Sequence, residues 1–440
     1  MSIKLRLIVM NFLQFFIWGS WLITIGAYWF QTLPTLYPAI DPETNSSVWT
    51  GSAFGALFST MGIASLFMPA LMGIIADKWI NAEKLYGICH ILGAIVLFSL
   101  PMVKDPSTMF WVMLLNMCFY MPTLALSIAV AYSALKRNGQ DVVKDYPPIR
   151  VWGTVGFIVA LWVVSLLHIE TSADQFYVAS AAAFLLGLYA FTLPKCPPLL
   201  NRKKSTSVID ALGLTSFSLF KNRKMAVFFI FAMLLGAALQ LTNAYGDTFL
   251  HDFANIPEYA NLTAVKYPAI IMSISQISET LFILAIPFFL RRFGIKQVML
   301  ISMFAWVLRF GLFAYGNPGE GLWMIILSCI VYGMAFDFFN ISGSLFVETQ
   351  SDPSIRASAQ GLFMMMTNGF GAVLGSIISG FVIEKYFMNA DRSINWNGTW
   401  LSFAAYALVV AILFMILFKH KHNRNEVKNV HPEPLLVSEK

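Results

Sequence analysis

Two acids stand inside apolar stretches of this chain, and their positions decide what chemistry to look for. Asp337 lies near the middle of the run at residues 322–347, and Glu279 lies near the centre of the run at 269–290. An ionisable group at bilayer depth costs about 2.5–3.5 kcal/mol even on lenient insertion scales, so it faces a helix bundle or a wet cavity rather than lipid. A polar pathway across a membrane is therefore expected. Gln240 and Asn243 are three residues apart, as are Gln276 and Glu279, so each pair shares one helix face. Such a set suits a ligand rich in hydroxyls and ring nitrogens; amides that only bond one another between helices are the alternative.

Tyr332 and Phe336 fall one turn apart and are expected to form an aromatic wall, with Asp337 and Asn340 on the adjacent face. Stacking on such a wall is worth about 1–3 kcal/mol per base, enough to matter for a hydrophilic ligand, although a phenyl wall can equally be plain packing. Arg309 sits mid-run, and Asp337 on the next run is its expected partner. A carboxyl held between an arginine that favours its charged form and an apolar surround that favours its neutral form can bind and release a proton. The other reading is a permanent structural ion pair. Arg150, Thr154 and Phe157 follow i, i+4, i+7 and share a face. Arg150 either snorkels at the cytoplasmic edge or is drawn inward by the close packing that Gly153 and Gly156 permit.

The elements that must position these residues follow from composition. Of 440 residues, 58% are hydrophobic and only 12% charged, with a mean hydropathy of +0.68. A soluble domain could not hide that much apolar surface, so the class is an all-α integral membrane protein. Twelve runs have spanning length: 7–30, 52–76, 85–103, 109–135, 151–167 and 177–193, then 225–250, 269–290, 298–315, 322–347, 362–383 and 400–418. The first run is too long for a secretory signal, carries Trp18 and Trp21, and is read as a retained helix.

Basic residues crowd alternate connections: Lys4 and Arg6; Lys78 and Lys84; Lys136, Arg137 and Lys144; Lys195, Arg202, Lys203, Lys204, Lys221, Arg223 and Lys224; Arg291, Arg292 and Lys296. By the positive-inside rule both termini are cytoplasmic. The same placement argues against a nucleic-acid partner, despite the formal charge of +6. Cys89, Cys118, Cys196 and Cys329 form no disulfide framework or metal-ligand set, and the six His show no HxxxH spacing. With no GxSxG or glycine-rich phosphate loop either, no enzyme activity, metal or cofactor is expected.

The basic segment 195–224 divides six runs from six, giving an expected organisation of a first bundle at 1–194, a cytoplasmic loop at 195–224, a second bundle at 225–419 and a tail at 420–440. Six plus six is the layout of transporters built from two repeats with the site at mid-membrane. Between the second and third runs, Gly73, Asp77 and Lys78 resemble the cytoplasmic gating motif of the major facilitator superfamily: glycine for close helix approach, acid to cap a helix or pair with a base. An ordinary positively charged inside loop is the alternative. The equivalent place in the second half, with Arg291, Arg292 and Lys296, lacks the acid.

At these residues the chain resembles bacterial nucleoside permeases of the nucleoside–proton symporter family over nearly its whole length. The resemblance rests on Pro147-Pro148-Ile149-Arg150-Val151-Trp152-Gly153-Thr154, on Ser273 to Thr280 with Gln276 and Glu279, on Phe336-Asp337-Phe338-Phe339-Asn340 with Ser342-Gly343, on Arg356 to Gly361, and on the opening Phe12-Leu13-Gln14-Phe15-Phe16-Ile17-Trp18-Gly19-Ser20-Trp21. It implies a major facilitator fold of twelve helices in two six-helix bundles, in the bacterial inner membrane. It implies uptake of purine and pyrimidine nucleosides with a proton, by a monomer that rocks around a central site. Carried over by position, it places Arg150, Thr154, Phe157, Gln240, Asn243, Gln276, Glu279, Tyr332 and Phe336 near the nucleoside, and makes Asp337 important to transport. The related lactose-permease-like group supports the proton role of Arg309 with Asp337. The segment 33–50, with Asp41 and Glu43, is longer than the family pattern and bears on access or partners. A proton–sugar symporter would use similar polar residues but would not be inhibited by nucleosides; a nucleoside sensor would bind without accumulation.

Overall fold

The computed structural model describes residues 2–38, 47–198, 214–352, 355–389 and 391–421. Asp41, Glu43, Arg202, Lys203, Lys204 and the tail beyond residue 421 lie outside the described residues. Helices dominate, and the described residues contain only an isolated bridge between Met388 and Ile394 in place of any strand. Twelve principal helices occur among the described residues. The first six are α1 (Ile3–Gly19), α2 (Gly51–Lys78), α3 (Ala82–Ser99), α4 (Pro106–Arg137), α5 (Val142–Leu166) and α6 (Asp174–Ala190). The second six are α7 (Arg223–Asp252), α8 (Pro268–Phe293), α9 (Ile295–Tyr315), α10 (Leu322–Gln350), α11 and α12 (Trp396–Leu417). Here α11 starts as Arg356–Met364, passes through a π-helical turn at Met365–Gly371, resumes as Ala372–Val382, and ends in a second π turn at Ile383–Phe387. Ten of the twelve are long and apolar enough to cross a membrane, and α1 and α6, at 17 residues each, fall just short.

Local chemistry sets the boundaries. Ser2, Thr50, Asp105, Asn222 and Asn395 cap α1, α2, α4, α7 and α12 by accepting backbone N–H bonds that the first turn cannot otherwise satisfy. Pro106 and Pro268 occupy first-turn positions, where a missing N–H costs nothing. Gly294, at φ 79°, makes the sharp turn from α8 to α9 that a side chain would resist. The first apolar run is not one straight helix: α1 stops at Gly19, where a Cβ would meet the Phe157 carbonyl at 2.6 Å. The chain then turns and resumes as Ile25–Ala27, a π turn at Tyr28–Thr32 and Leu33–Leu36.

The chain falls into two compact units, Met1–Leu212 and Gly213–Lys440. In the first, α1 runs along α5, α2 along α4, and α3 along both α4 and α6. In the second, α7 runs along α11, α8 along α10, and α9 along both α10 and α12. Each pairing recurs six helices later, which is the signature of an internal repeat. Small residues set the closest crossings: Gly156 lies so close to the Phe12 carbonyl of α1 that no side chain fits, and a Cβ on Gly375 of α11 would lie 2.6 Å from the Ala237 Cα of α7. Large apolar side chains such as Leu281, Leu284 and Phe288 of α8 stand exposed, as a lipid-facing surface requires.

The Gly73 motif differs from expectation. A Cβ on Gly73 would meet nothing within 4 Å among the described residues. Asp77 is exposed in the last turn of α2, where it cannot cap a helix start, and it enters no ion pair among the described residues. The carboxylate that does organise this end is Glu83, buried in the first turn of α3. It accepts from the Cys196 backbone N–H at 2.8 Å and from the Asn81 amide at 3.0 Å, tying the segment after α6 to α3. All four cysteines are free.

Candidate functional site

The second unit gathers most of the sequence-predicted polar residues. Helices α8 and α10 cross where Gly333 leaves room for the backbone of Ser278: a Cβ on Gly333 would lie 2.7 Å from the Ser278 carbonyl oxygen. Ser278 in turn donates a hydrogen bond to the Ile330 carbonyl. With these backbones in contact, the next residue of α8, Glu279, comes within electrostatic range of Asp337, one turn beyond Gly333 on α10. Asp337 is 5% exposed, and its Oδ2 has no hydrogen-bond partner among the described residues. Gln276 and Glu279 are half-buried; Gln276 lies within hydrogen-bonding reach of the Tyr332 hydroxyl, and Glu279 within electrostatic range of it. On α7, Asn243 is half-buried, while Gln240 is buried with its Oε1 unpartnered among the described residues. Buried polar atoms are nearly always bonded, so unspent acceptors on Asp337 and Gln240 mark where a proton or a ligand donor can be accommodated.

The aromatic wall exists, but its two members differ in access. Tyr332 and Phe336 stack with ring centroids 5.9 Å apart and planes 7° apart. Tyr332 is buried, with Trp306 edge-on at 5.9 Å and the Arg309 guanidinium 4.7 Å from its ring centre. Phe336 is half-buried and lines a partly open cleft with Asn340, so it alone offers a ring face to a ligand.

The expected Arg309–Asp337 ion pair is absent among the described residues. Arg309 is fully buried, and its guanidinium bonds the Ser328 carbonyl at 2.6 Å, the Thr242 hydroxyl at 3.3 Å and the Ser275 hydroxyl at 3.4 Å. The rings of Phe313 and Tyr332 lie against it at 4.9 and 4.7 Å. The charge is met by polarisable rings and oxygen dipoles from α7, α8 and α10 rather than by a carboxylate. Sequence position could name Asp337 as the acid within the next apolar run, but not the direction in which either side chain points.

In the first unit, Arg150 packs against α1. Eight residues into α5 and half-buried, its guanidinium lies 4.1 Å from the centre of the Phe15 ring on α1. Gly153 makes that possible, since a Cβ there would meet Phe15 at 2.6 Å and Arg150 Nη1 at 2.7 Å. Thr154 is half-buried one turn on, and Phe157 is buried with 8% exposure. Behind them lies a polar network that the spacing arguments missed. Gln14 accepts from the Tyr86 hydroxyl at 2.6 Å and lies 2.9 Å from His90 Nε2; its amide donates to Thr123 at 2.9 Å. Because Gln14 Oε1 is an acceptor, His90 Nε2 carries the proton. Tyr120 donates to the Gln14 carbonyl at 2.7 Å. A glutamine and a histidine inside apolar runs were the available signal, the same one that exposed Asp337.

Comparisons with known proteins identify the family. A family model described as Nucleoside H+ symporter matches residues 1–423. The xanthosine permease of Escherichia coli (strain K12) is 55% identical over 98% of this chain and 99% of its own length. The nucleoside permease NupG of the same organism is 53% identical over 96% of this chain and 98% of its own. The crystal structure of the nucleoside transporter NupG superposes with a TM-score of 0.87, covering 96% of this chain and all of that one at 52% identity. The fold is thus that of the major facilitator transporters, and the chain belongs to the nucleoside H+ symporter family.

Proposed function

We propose that this protein takes up nucleosides together with protons by alternating access across the bacterial inner membrane, with both termini cytoplasmic. One observation carries the mechanism: Asp337, buried in α10 with an oxygen unpartnered among the described residues, lies within electrostatic range of a second carboxyl, Glu279, and one residue from the accessible ring of Phe336. Two negative charges side by side in an apolar surround repel each other, and a proton on one of them relieves that repulsion. In the proposed cycle Asp337 takes a proton from the outer side and the nucleoside binds. Its base stacks on Phe336, and its sugar hydroxyls bond Gln276, Glu279, Gln240 and Asn243. Tyr332 supports Phe336 and orients Gln276. Arg150, Thr154 and Phe157 are assigned to nucleoside contact on the family resemblance.

Opening to the cytoplasm rehydrates the site, the nucleoside leaves, and the proton follows. Moving one positive charge through 100 mV releases about 2.3 kcal/mol, which sustains roughly a 50-fold gradient of a neutral solute. The proton gradient is the energy source in this reading; no cofactor, metal or nucleic acid takes part, and the working unit is a monomer. Arg309 supports the wall and the α7–α8–α10 junction instead of pairing with the proton carrier.

Purified protein in proteoliposomes tests the proposal. With an inside-alkaline gradient, labelled uridine, adenosine and xanthosine should accumulate, and a protonophore should abolish the accumulation. Uptake of maltose that nucleosides fail to inhibit would establish a sugar symporter instead. Saturable nucleoside binding without accumulation would establish a sensor.

A further inference from the structure

The cleft beside Phe336 has a wall that the spacing arguments did not assign. Along with Phe336 and Asn340 of α10, it is lined by Thr367 and Asn368 of α11 and by Gly236 of α7. Thr367 and Asn368 fall within the π-helical turn Met365–Gly371, which inserts an extra residue into the helical repeat and so re-aims the side chains around it. Such turns are frequent at functional sites. This one is held from behind. Gly236 lies directly against the Thr367 carbonyl, and Gly371 against the Met233 carbonyl, both too close for any side chain. The backbone carrying Asn368 is therefore braced on α7, as a recognition group requires.

The amide hydrogen-bonding capacity of this wall is largely unspent. Thr367 uses its hydroxyl on the Phe363 carbonyl at 3.0 Å. Asn368 has only the thioether of Met364 at 3.9 Å, a weak acceptor, and no hydrogen bond of the Asn340 side chain occurs among the described residues. Each amide offers two donors and an acceptor. Both stand at the edge of the cleft whose accessible ring face is Phe336, and both are half-buried.

We infer that Asn340 and Asn368 read the edge of the nucleobase stacked on Phe336 and thereby set base selectivity. The inference rests on the nucleoside reading above and extends it. An amide can turn either its oxygen or its nitrogen toward a base. The same pair can thus accept the keto edge of uridine or inosine and the amino edge of cytidine or adenosine. Selectivity among bases is then broad in the native protein, and it becomes narrow when the amide loses one of its two characters.

A carboxylate accepts only, so Asn368→Asp should favour the bases that present an amino group. Uridine and cytidine, and likewise inosine and adenosine, differ mainly in the donor and acceptor pattern along one edge. The measurement is kcat/KM for uptake of these four nucleosides into proteoliposomes, normalised to reconstituted protein. The expected result for Asn368→Asp is a rise of roughly 3- to 10-fold in the cytidine-to-uridine and adenosine-to-inosine ratios, the scale of one exchanged hydrogen bond. Asn340→Asp supplies the same test if Asn368→Asp does not reach the membrane. Ratios unchanged within twofold in the variants that insert, with all four rates falling together, would overturn the inference and leave the nucleoside reading intact. Failure of the native protein to accumulate any of the four would overturn the nucleoside reading itself.

Discussion

Gly333 of α10 and Ser278 of α8 approach backbone to backbone, and that contact brings Glu279 within electrostatic range of Asp337. The two carboxyls are separated by 58 positions in the chain (337 minus 279). A crossing without a side chain between the helices shortens the distance over which one acid acts on the other.

The first prediction concerns that crossing. Gly333→Ala pushes a methyl group to 2.7 Å from the Ser278 carbonyl oxygen. Overpacking of this kind costs about 1–3 kcal/mol. A lower thermal unfolding midpoint in detergent and reduced nucleoside uptake are expected together. A variant with native stability and native uptake would show that the α8–α10 contact is not needed in this form.

Asp337→Asn keeps the shape of the side chain but removes the titratable group. Uphill accumulation driven by a pH gradient should vanish, while counterflow of labelled against unlabelled nucleoside persists. Full gradient-driven accumulation in the variant would remove Asp337 as the proton carrier.

Phe336 is the accessible half of a stacked pair. Phe336→Ala should weaken nucleoside binding by about 1–3 kcal/mol, roughly 5- to 150-fold in Kd, measured by calorimetry or tryptophan quenching. Phe336→Tyr, which keeps the ring, should lose far less. Equal affinity for the alanine variant and the native protein would argue against stacking there.

Arg309 gives a test of opposite sign to the usual ion-pair expectation. In a true pair, removing one charge is damaging and removing both restores much of the loss. Here Arg309 bonds Ser328, Thr242 and Ser275. The double variant Arg309→Gln with Asp337→Asn should therefore be no more stable than the two single variants predict, within about 0.5 kcal/mol. A double-mutant cycle in thermal or denaturant unfolding measures it, and rescue by the second substitution would restore the pair.

Much of the site could be read without coordinates because lipid makes polar residues conspicuous. Gln240, Asn243, Gln276, Glu279 and Asp337 announce themselves by standing in apolar runs, and three-residue spacing assigns them to shared faces. The same logic, applied to Gln14, His90 and Asn368, would have found the first-unit network and the α11 wall. The Tyr332–Phe336 stack followed from one-turn spacing. That Phe336 is accessible while Tyr332 is covered depended on Trp306 and Arg309, which arrive from another helix.

The sequence by itself determined the membrane class, the twelve helices and the division into six and six. These follow from local composition, since a bilayer demands long apolar helices and basic inside loops. Tertiary structure alone decided which acid meets which base. Arg309 was free to choose among oxygens on three neighbouring helices, and the choice went to Ser328, Thr242 and Ser275 because the crossings of α7, α8 and α10 with α9 set the distances. The π turn in α11 was equally a matter of tertiary structure: Thr367 and Asn368 stand out as polar in the sequence, but only the tight seating of Gly236 and Gly371 between α7 and α11 reveals why the helix takes an extra residue there.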